Sequence, residues 1–82
     1  MRDINKLTLN PPYYTKLVAA YLNTRASILY RILDAYDVIY KVPGVEDFII
    51  LNDNIIYYDK DIKEYVFTEY GFEWIKSNYK YN

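Results

Sequence analysis

The chain predicts an α+β domain: two short helices, a small antiparallel sheet, then a closing helix. Three observations carry that expectation. Apolar residues recur at helical spacing in two early segments separated by two or three residues, as a helix-turn-helix requires. Short β-branched and aromatic runs follow, divided by turn formers. A last helical stripe begins after Thr68.

Residues 1–10 read as a polar lead-in, with Leu7 and Leu9 alternating as a short edge strand. Asn10-Pro11-Pro12 stops it and leads into a helix, because proline suits the first helical turn. The first helix is expected from Tyr13 or Thr15 to about Leu22, with Leu17, Val18, Tyr21 and Leu22 turned inward. Ala19 and Ala20 permit close approach of a neighbour. Asn23-Thr24 breaks the pattern, and Thr24 is the expected N-cap of the second helix. That helix runs from Arg25 to about Tyr36, with Leu29, Ile32, Leu33 and Tyr36 as its inner stripe. Its outer face carries Arg25, Ser27, Ile28, Arg31 and Asp34.

Val38 to Val42 then reads as a strand ended by Pro43-Gly44. Phe48–Leu51 and Ile55–Tyr58 read as two strands of a hairpin across Asn52-Asp53-Asn54. Asp59-Lys60-Asp61 is the next turn, and Tyr65–Thr68 the last strand. Thr68 caps a helix from Glu69 to about Tyr79, where Glu69 suits the positive end. Phe72, Ile75 and Tyr79 form its inner stripe, with Trp74 on the flank. The order is that of a winged helix-turn-helix with an added C-terminal helix.

Eighty-two residues allow one domain, expected to span 1–82. A domain so short buries only about 60 to 65% of its unfolded surface, so its core needs large apolar groups. The composition supplies them: 52% of residues are hydrophobic, and twelve are Tyr. There is no Cys and no His, which removes disulfides, thiolate metal sites and the common nucleophile–base pairs. Only Gly44 and Gly71 are present, too few for a phosphate-binding glycine loop. The expectation is a binding protein, not an enzyme, with no cofactor and no metal. No apolar run approaches the roughly 20 residues that span a bilayer. The N-terminus lacks the apolar core of a signal peptide, so an intracellular protein without membrane contact is expected. The frequent Ile, Asn, Lys and Tyr fit an AT-rich genome.

The net charge of −1 hides a polarity. Residues 1–42 hold six bases and three acids, a net +3; residues 43–82 hold four bases and eight acids, a net −4. Two of the six bases of the first half, Arg25 and Arg31, fall on the second helix. Arg25 and Arg31 are suited to guanine, Ser27 to a base edge or phosphate, and Ile28 lies beside them. Lys16 and Lys41 flank the helix as phosphate contacts. A solvated helix face is the competing reading. The acids of the second half, Asp59/Asp61 and Glu46/Asp47, fall at turns and strand ends, where solvated loop charge is the ordinary role. Their spacing lacks the glycine and terminal glutamate of a calcium loop.

Several segments resemble a known family. Thr15-Lys16-Leu17-Val18-Ala19-Ala20-Tyr21-Leu22-Asn23 resembles the first helix of a phage-type helix-turn-helix. Ser27-Ile28-Leu29-Tyr30-Arg31-Ile32-Leu33 resembles its second helix, and Asp37-Val38-Ile39-Tyr40-Lys41 the strand that follows. Val66-Phe67-Thr68-Glu69-Tyr70-Gly71-Phe72-Glu73-Trp74-Ile75 is similar to the closing segment. Together, over about residues 13–76, they resemble the C-terminal domain of phage antirepressors, the KilA C-terminal type. Asp37 stands where that pattern has glycine. The resemblance implies a winged helix-turn-helix fold and a small viral or prophage regulator that binds double-stranded DNA. With three to five basic contacts a monomer binds weakly, and useful affinity requires a homodimer. The rival expectation is an inhibitor or accessory factor that docks a host protein through an acidic, Tyr-bearing face made of Tyr57, Tyr58, Asp59 and Asp61.

Overall fold

The computed structural model describes residues 9–45 and 47–79. In chain order the elements are β1 (Tyr13–Tyr14), α1 (Thr15–Tyr21), α2 (Ala26–Ala35), β2 (Ile39–Lys41), β3 (Phe48–Ile50), β4 (Ile56–Asp59), β5 (Glu64–Phe67) and α3 (Glu69–Asn78). The strands pair antiparallel in two sheets, a three-stranded one ordered β1-β5-β4 and a two-stranded ribbon of β2 and β3. The α+β class therefore holds, with two sheets in place of one. The edge strand expected at Leu7 and Leu9 falls on residues 1–8, outside the described residues, apart from Leu9. That side chain packs against the core.

The inner stripe of α1 is Thr15, Val18, Ala19 and Leu22, all buried and spaced i, i+3, i+4, i+7. Leu17 was expected inside and is 45% exposed. Ala19 takes the inner place because the register of the stripe starts at Thr15, whose hydroxyl donates to the Tyr65 carbonyl at 2.8 Å. In α2, Leu29 and Leu33 are fully buried and Ile32 is half buried. Tyr36 departs from its expected place inside. It is the C-cap residue, past the last helical turn, and its ring lies on the surface edge-on to Trp74 at 5.4 Å.

Both early helices end in the same motif. The amide of Thr24 donates to the Ala19 carbonyl (2.8 Å) and that of Asn23 to Ala20 (3.1 Å). The amide of Val38 donates to Leu33 (2.8 Å) and that of Asp37 to Asp34 (3.1 Å). These are Schellman closures, which need one left-handed residue just beyond the helix. Asn23 (φ 58°) and Asp37 (φ 60°) fill that role, and both types tolerate the left-handed region better than other non-glycine residues. Asp37 thus fills a position that favours glycine. Thr24 is consumed by the first closure and does not cap α2; the N-cap is Arg25, with no side-chain bond.

The hairpin expected across Asn52-Asp53-Asn54 does not form. The ribbon instead pairs Ile39 with Ile50, Tyr40 with Ile49 and Lys41 with Phe48. The Val38 carbonyl accepts the amides of Leu51 (2.8 Å) and Asn52 (3.1 Å), closing the ribbon's end. The Asn52 side chain then accepts the Asn54 amide, turning the chain toward the other sheet. At the ribbon's tip, Val45 donates to Val42 across Pro43-Gly44, and Gly44 has φ +81°. Proline followed by a positive-φ glycine is the signature of a type II turn. β4 pairs with β5 across the expected turn at Asp59, whose carboxylate accepts the Asp61 amide at 2.9 Å.

Thr68 caps α3 as expected: its Oγ1 accepts the Gly71 amide at 2.8 Å. The same hydroxyl donates to the Asn54 carbonyl, and the Thr68 amide donates to Ile55 at 3.0 Å. This brings the first turn of α3 onto the backbone before β4. A Cβ at Gly71 would stand 1.8 Å from the Ile55 carbonyl oxygen. Phe72 and Ile75 are buried, and Phe72 stacks on Tyr13 (4.5 Å) and meets Tyr21 edge-on (5.5 Å). One apolar cluster joins α1, α2, β2, β4, β5 and α3. No helix among the described residues is long and apolar enough to cross a membrane.

The Gly71 contact yields a direct test. Gly71→Ala places a methyl against backbone that cannot swing aside, and should cost about 3 kcal/mol or more, the upper end for overpacking. Urea denaturation reads this as a lower midpoint with little change in slope.

Candidate nucleic-acid interface

The outer face of α2 is positioned from both ends. Its closure at Asp37 sends the chain directly into β2, so the ribbon lies alongside the helix. Ser27, Tyr30, Arg31 and Asp34 follow one another at helical spacing and face this ribbon. With Lys41 of β2 and Phe48 of β3 they line an open groove of about 330 Å³. Ser27, Arg31 and Lys41, expected to act together, are therefore brought together. The groove holds two cations and one carboxylate, so its potential is net positive. One side of it is aromatic, where the rings of Tyr30 and Phe48 lie 4.7 Å apart.

Arg25 stands apart from the groove, exposed at the N-cap of α2. Neither Arg25 nor Arg31 makes an ion pair among the described residues. Ile28 is half buried on the same helix. Lys16 does not join this group. It lies 3.6 Å from Glu64, beside an apolar groove formed by Tyr14, Leu17 and Ile62.

The residues of the rival face are also placed. Tyr57 and Tyr58 follow each other on β4 and point to opposite sides, both partly exposed. Tyr58 packs edge-on against Tyr65 at 4.9 Å. Asp59 accepts the Asp61 and Ile62 amides and so serves its own turn. Asp61 is exposed. Among the described residues no cluster of three acidic side chains is arranged to hold a metal ion.

Two further side chains, Tyr30 and Phe48, line the groove beside the residues expected there. Tyr30 had a legible signal, being three residues from Ser27 on one helix face. Phe48 had none, because only the pairing of β3 with β2 brings it there. Behind the groove stands Tyr65. Its hydroxyl accepts the Phe48 amide at 3.2 Å, and its ring meets Phe48 (5.5 Å) and Tyr30 (6.0 Å).

Burial pushes the Tyr30 phenol above its ordinary value of 10.0; the Thr15 hydroxyl opposes the shift, and Glu64 and Tyr65 add to it. A phenol that ionises later in the folded chain than in the unfolded one supports folding fully below the unfolded value. That support is lost as pH rises through the folded value. Stability should therefore hold to about pH 9 and decline above about pH 10, and Tyr30→Phe should flatten part of the decline in chemical denaturation. Tyr65→Phe tests the groove wall differently. It leaves the Phe48 amide without its acceptor, and should cost about 1 to 2 kcal/mol and speed hydrogen exchange at that amide.

No family model, curated protein or solved structure matches this chain.

Proposed function

We propose that the chain is a small DNA-binding regulatory protein of winged-helix type, akin to the phage antirepressor domain whose motifs it resembles. In this reading α2 enters a groove of double-stranded DNA and the β2–β3 ribbon serves as the wing. Arg25 and Arg31 lead the contact, Ser27 and Ile28 lie against bases or sugar, and Lys41 takes a phosphate. Lys16 lies apart from the α2 groove, beside Glu64.

The observation that carries the proposal is Arg25. A helix N-terminus is the positive end of the helix dipole, where an acid or a hydroxyl stabilises and a cation does the reverse. Arg25 occupies that position with no capping bond, no acid in the first turn and no ion pair among the described residues. A side chain that breaks a local rule without an internal return points to an external partner. A cation beside exposed helix amides suits a phosphate, which both features attract. The rival acidic face has weaker support, since Asp59 is engaged in its turn and Tyr58 in the ring cluster.

Fluorescence anisotropy with a labelled duplex tests the proposal. Three phosphate contacts predict that affinity falls on the order of tens-fold between 50 and 200 mM salt. Arg25→Ala with Arg31→Ala should reduce the salt slope by about 2. Arg25→Ser should move two readouts in opposite directions, weakening DNA binding while stabilising the fold by up to about 1 kcal/mol. Absence of binding at low salt, or equal binding by the double variant, overturns the reading.

A further inference from the structure

We propose that Asp34 is a specificity determinant of the α2 groove, and that it selects cytosine in duplex DNA. The inference rests on the DNA-binding reading above and adds to it the class of sequence bound. Its starting point is a second charge on α2 that stands against the helix dipole. A helix C-terminus is the negative end, where a cation stabilises and a carboxylate does the reverse. Asp34 lies in the last turn of α2, and no basic residue shares that turn. It mirrors Arg25 at the other end. Nothing among the described residues offsets it by an ion pair. Arg31 stands one turn back, within pairing reach on a helix surface, and Lys41 lines the same groove. Asp34 bridges to neither, and its side chain is exposed. It is therefore not a clamp that holds Arg31 in place.

The chemistry of the duplex decides what such a carboxylate meets. An ionised carboxylate accepts hydrogen bonds and donates none. The DNA backbone carries one negative charge per about 1.7 Å of axis, so it repels Asp34 wherever the two approach. Only a base amino group can satisfy Asp34 inside the major groove, and two exist there, N6 of adenine and N4 of cytosine. Adenine sets its amino group beside N7, an acceptor that repels the second carboxylate oxygen. Cytosine presents its amino group with no acceptor of its own on that edge, and is the base that fits. Asp34 stands about 4.5 Å along the helix axis from Arg31, little more than the about 3.4 Å between base pairs. The cation and the carboxylate thus engage neighbouring steps. Lys41 takes a phosphate anywhere along the duplex and adds affinity without sequence. Asp34 does the opposite: it lowers affinity for every duplex and lowers it least where cytosine lies beneath it.

Selection from a random-sequence duplex pool at low salt, followed by sequencing, tests this with the wild-type chain, Asp34→Ala and Asp34→Asn. The wild-type chain should enrich cytosine at one position by roughly tenfold. Asp34→Ala should lose selection at that position alone and bind unselected duplex roughly threefold tighter, because a repelling charge is gone. Asp34→Asn should move the preference from cytosine to adenine, whose N6 and N7 an amide pairs with together. Near-ultraviolet circular dichroism shows that each variant keeps its fold, as substitution at an exposed position allows. Both variants should also raise the urea midpoint, since an unfavourable charge leaves the helix end. The same enriched sequence from all three proteins overturns the assignment to Asp34 and leaves the DNA-binding reading standing. So does wild-type binding with no base enriched, or a loss at a guanine position in both variants, the mark of a carboxylate that orients Arg31. No duplex retained by any of the three overturns both readings.

Discussion

The structure depends on what converges at Tyr65. Its carbonyl accepts the hydroxyl of Thr15, which is fully buried at the start of α1. Its hydroxyl accepts the Phe48 amide from the other sheet. Its ring touches those of Tyr30, Phe48 and Tyr58. One residue thus ties both early helices and the ribbon to the three-stranded sheet. A tyrosine suits this place because it supplies a large apolar area and a polar tip that reaches an otherwise unpaired amide. Remove the tip, and a backbone donor at the seam between sheets loses its partner; remove the ring, and the floor of the α2 groove goes with it.

The second constraint lies at the opposite end of the sheet. Thr68 and Gly71 bring α3 against the backbone of Asn54 and Ile55 so closely that no side chain fits between. With α3 held there, Phe72 reaches Tyr13 and Tyr21, and Trp74 reaches Tyr36. The core is therefore closed by polar geometry at two points and filled by rings between them. This is a workable solution for a chain of this size with no Cys.

Against this firm frame, α2 is the element where local stability and exposed chemistry diverge. Its C-terminal end is well closed through Asp37, while its N-terminal end carries an uncapped arginine. The ribbon beside it is covered on one face and open on the other. Both departures lie in residues 25–51, and both belong to surface that the rest of the fold does not use.

Much was legible in the residues themselves. Leu29, Ile32 and Leu33 of α2, Phe72 and Ile75 of α3, the Thr68 cap, the turn at Pro43-Gly44 and the turn at Asp59 are set by interactions within a few residues, and local pattern reads them. So is the grouping of Ser27 with Arg31 on one helix face. Strand partners were not legible. Phe48–Ile50 has the pattern to pair with either neighbour, and only the closure at Asp37 and Val38, which swings β2 alongside it, decides for β2. The inward turn of Ala19 over Leu17 was likewise decided by Thr15 reaching Tyr65, fifty positions away. The isolation of Lys16 from Arg31, the aromatic walls of the groove and the bare face of Tyr40 and Ile49 all follow from those non-local choices. A helix satisfies its backbone within itself, so its sequence determines it. A strand must borrow its partner from elsewhere in the chain, so its pairing, and every surface built on that pairing, is settled only by tertiary structure.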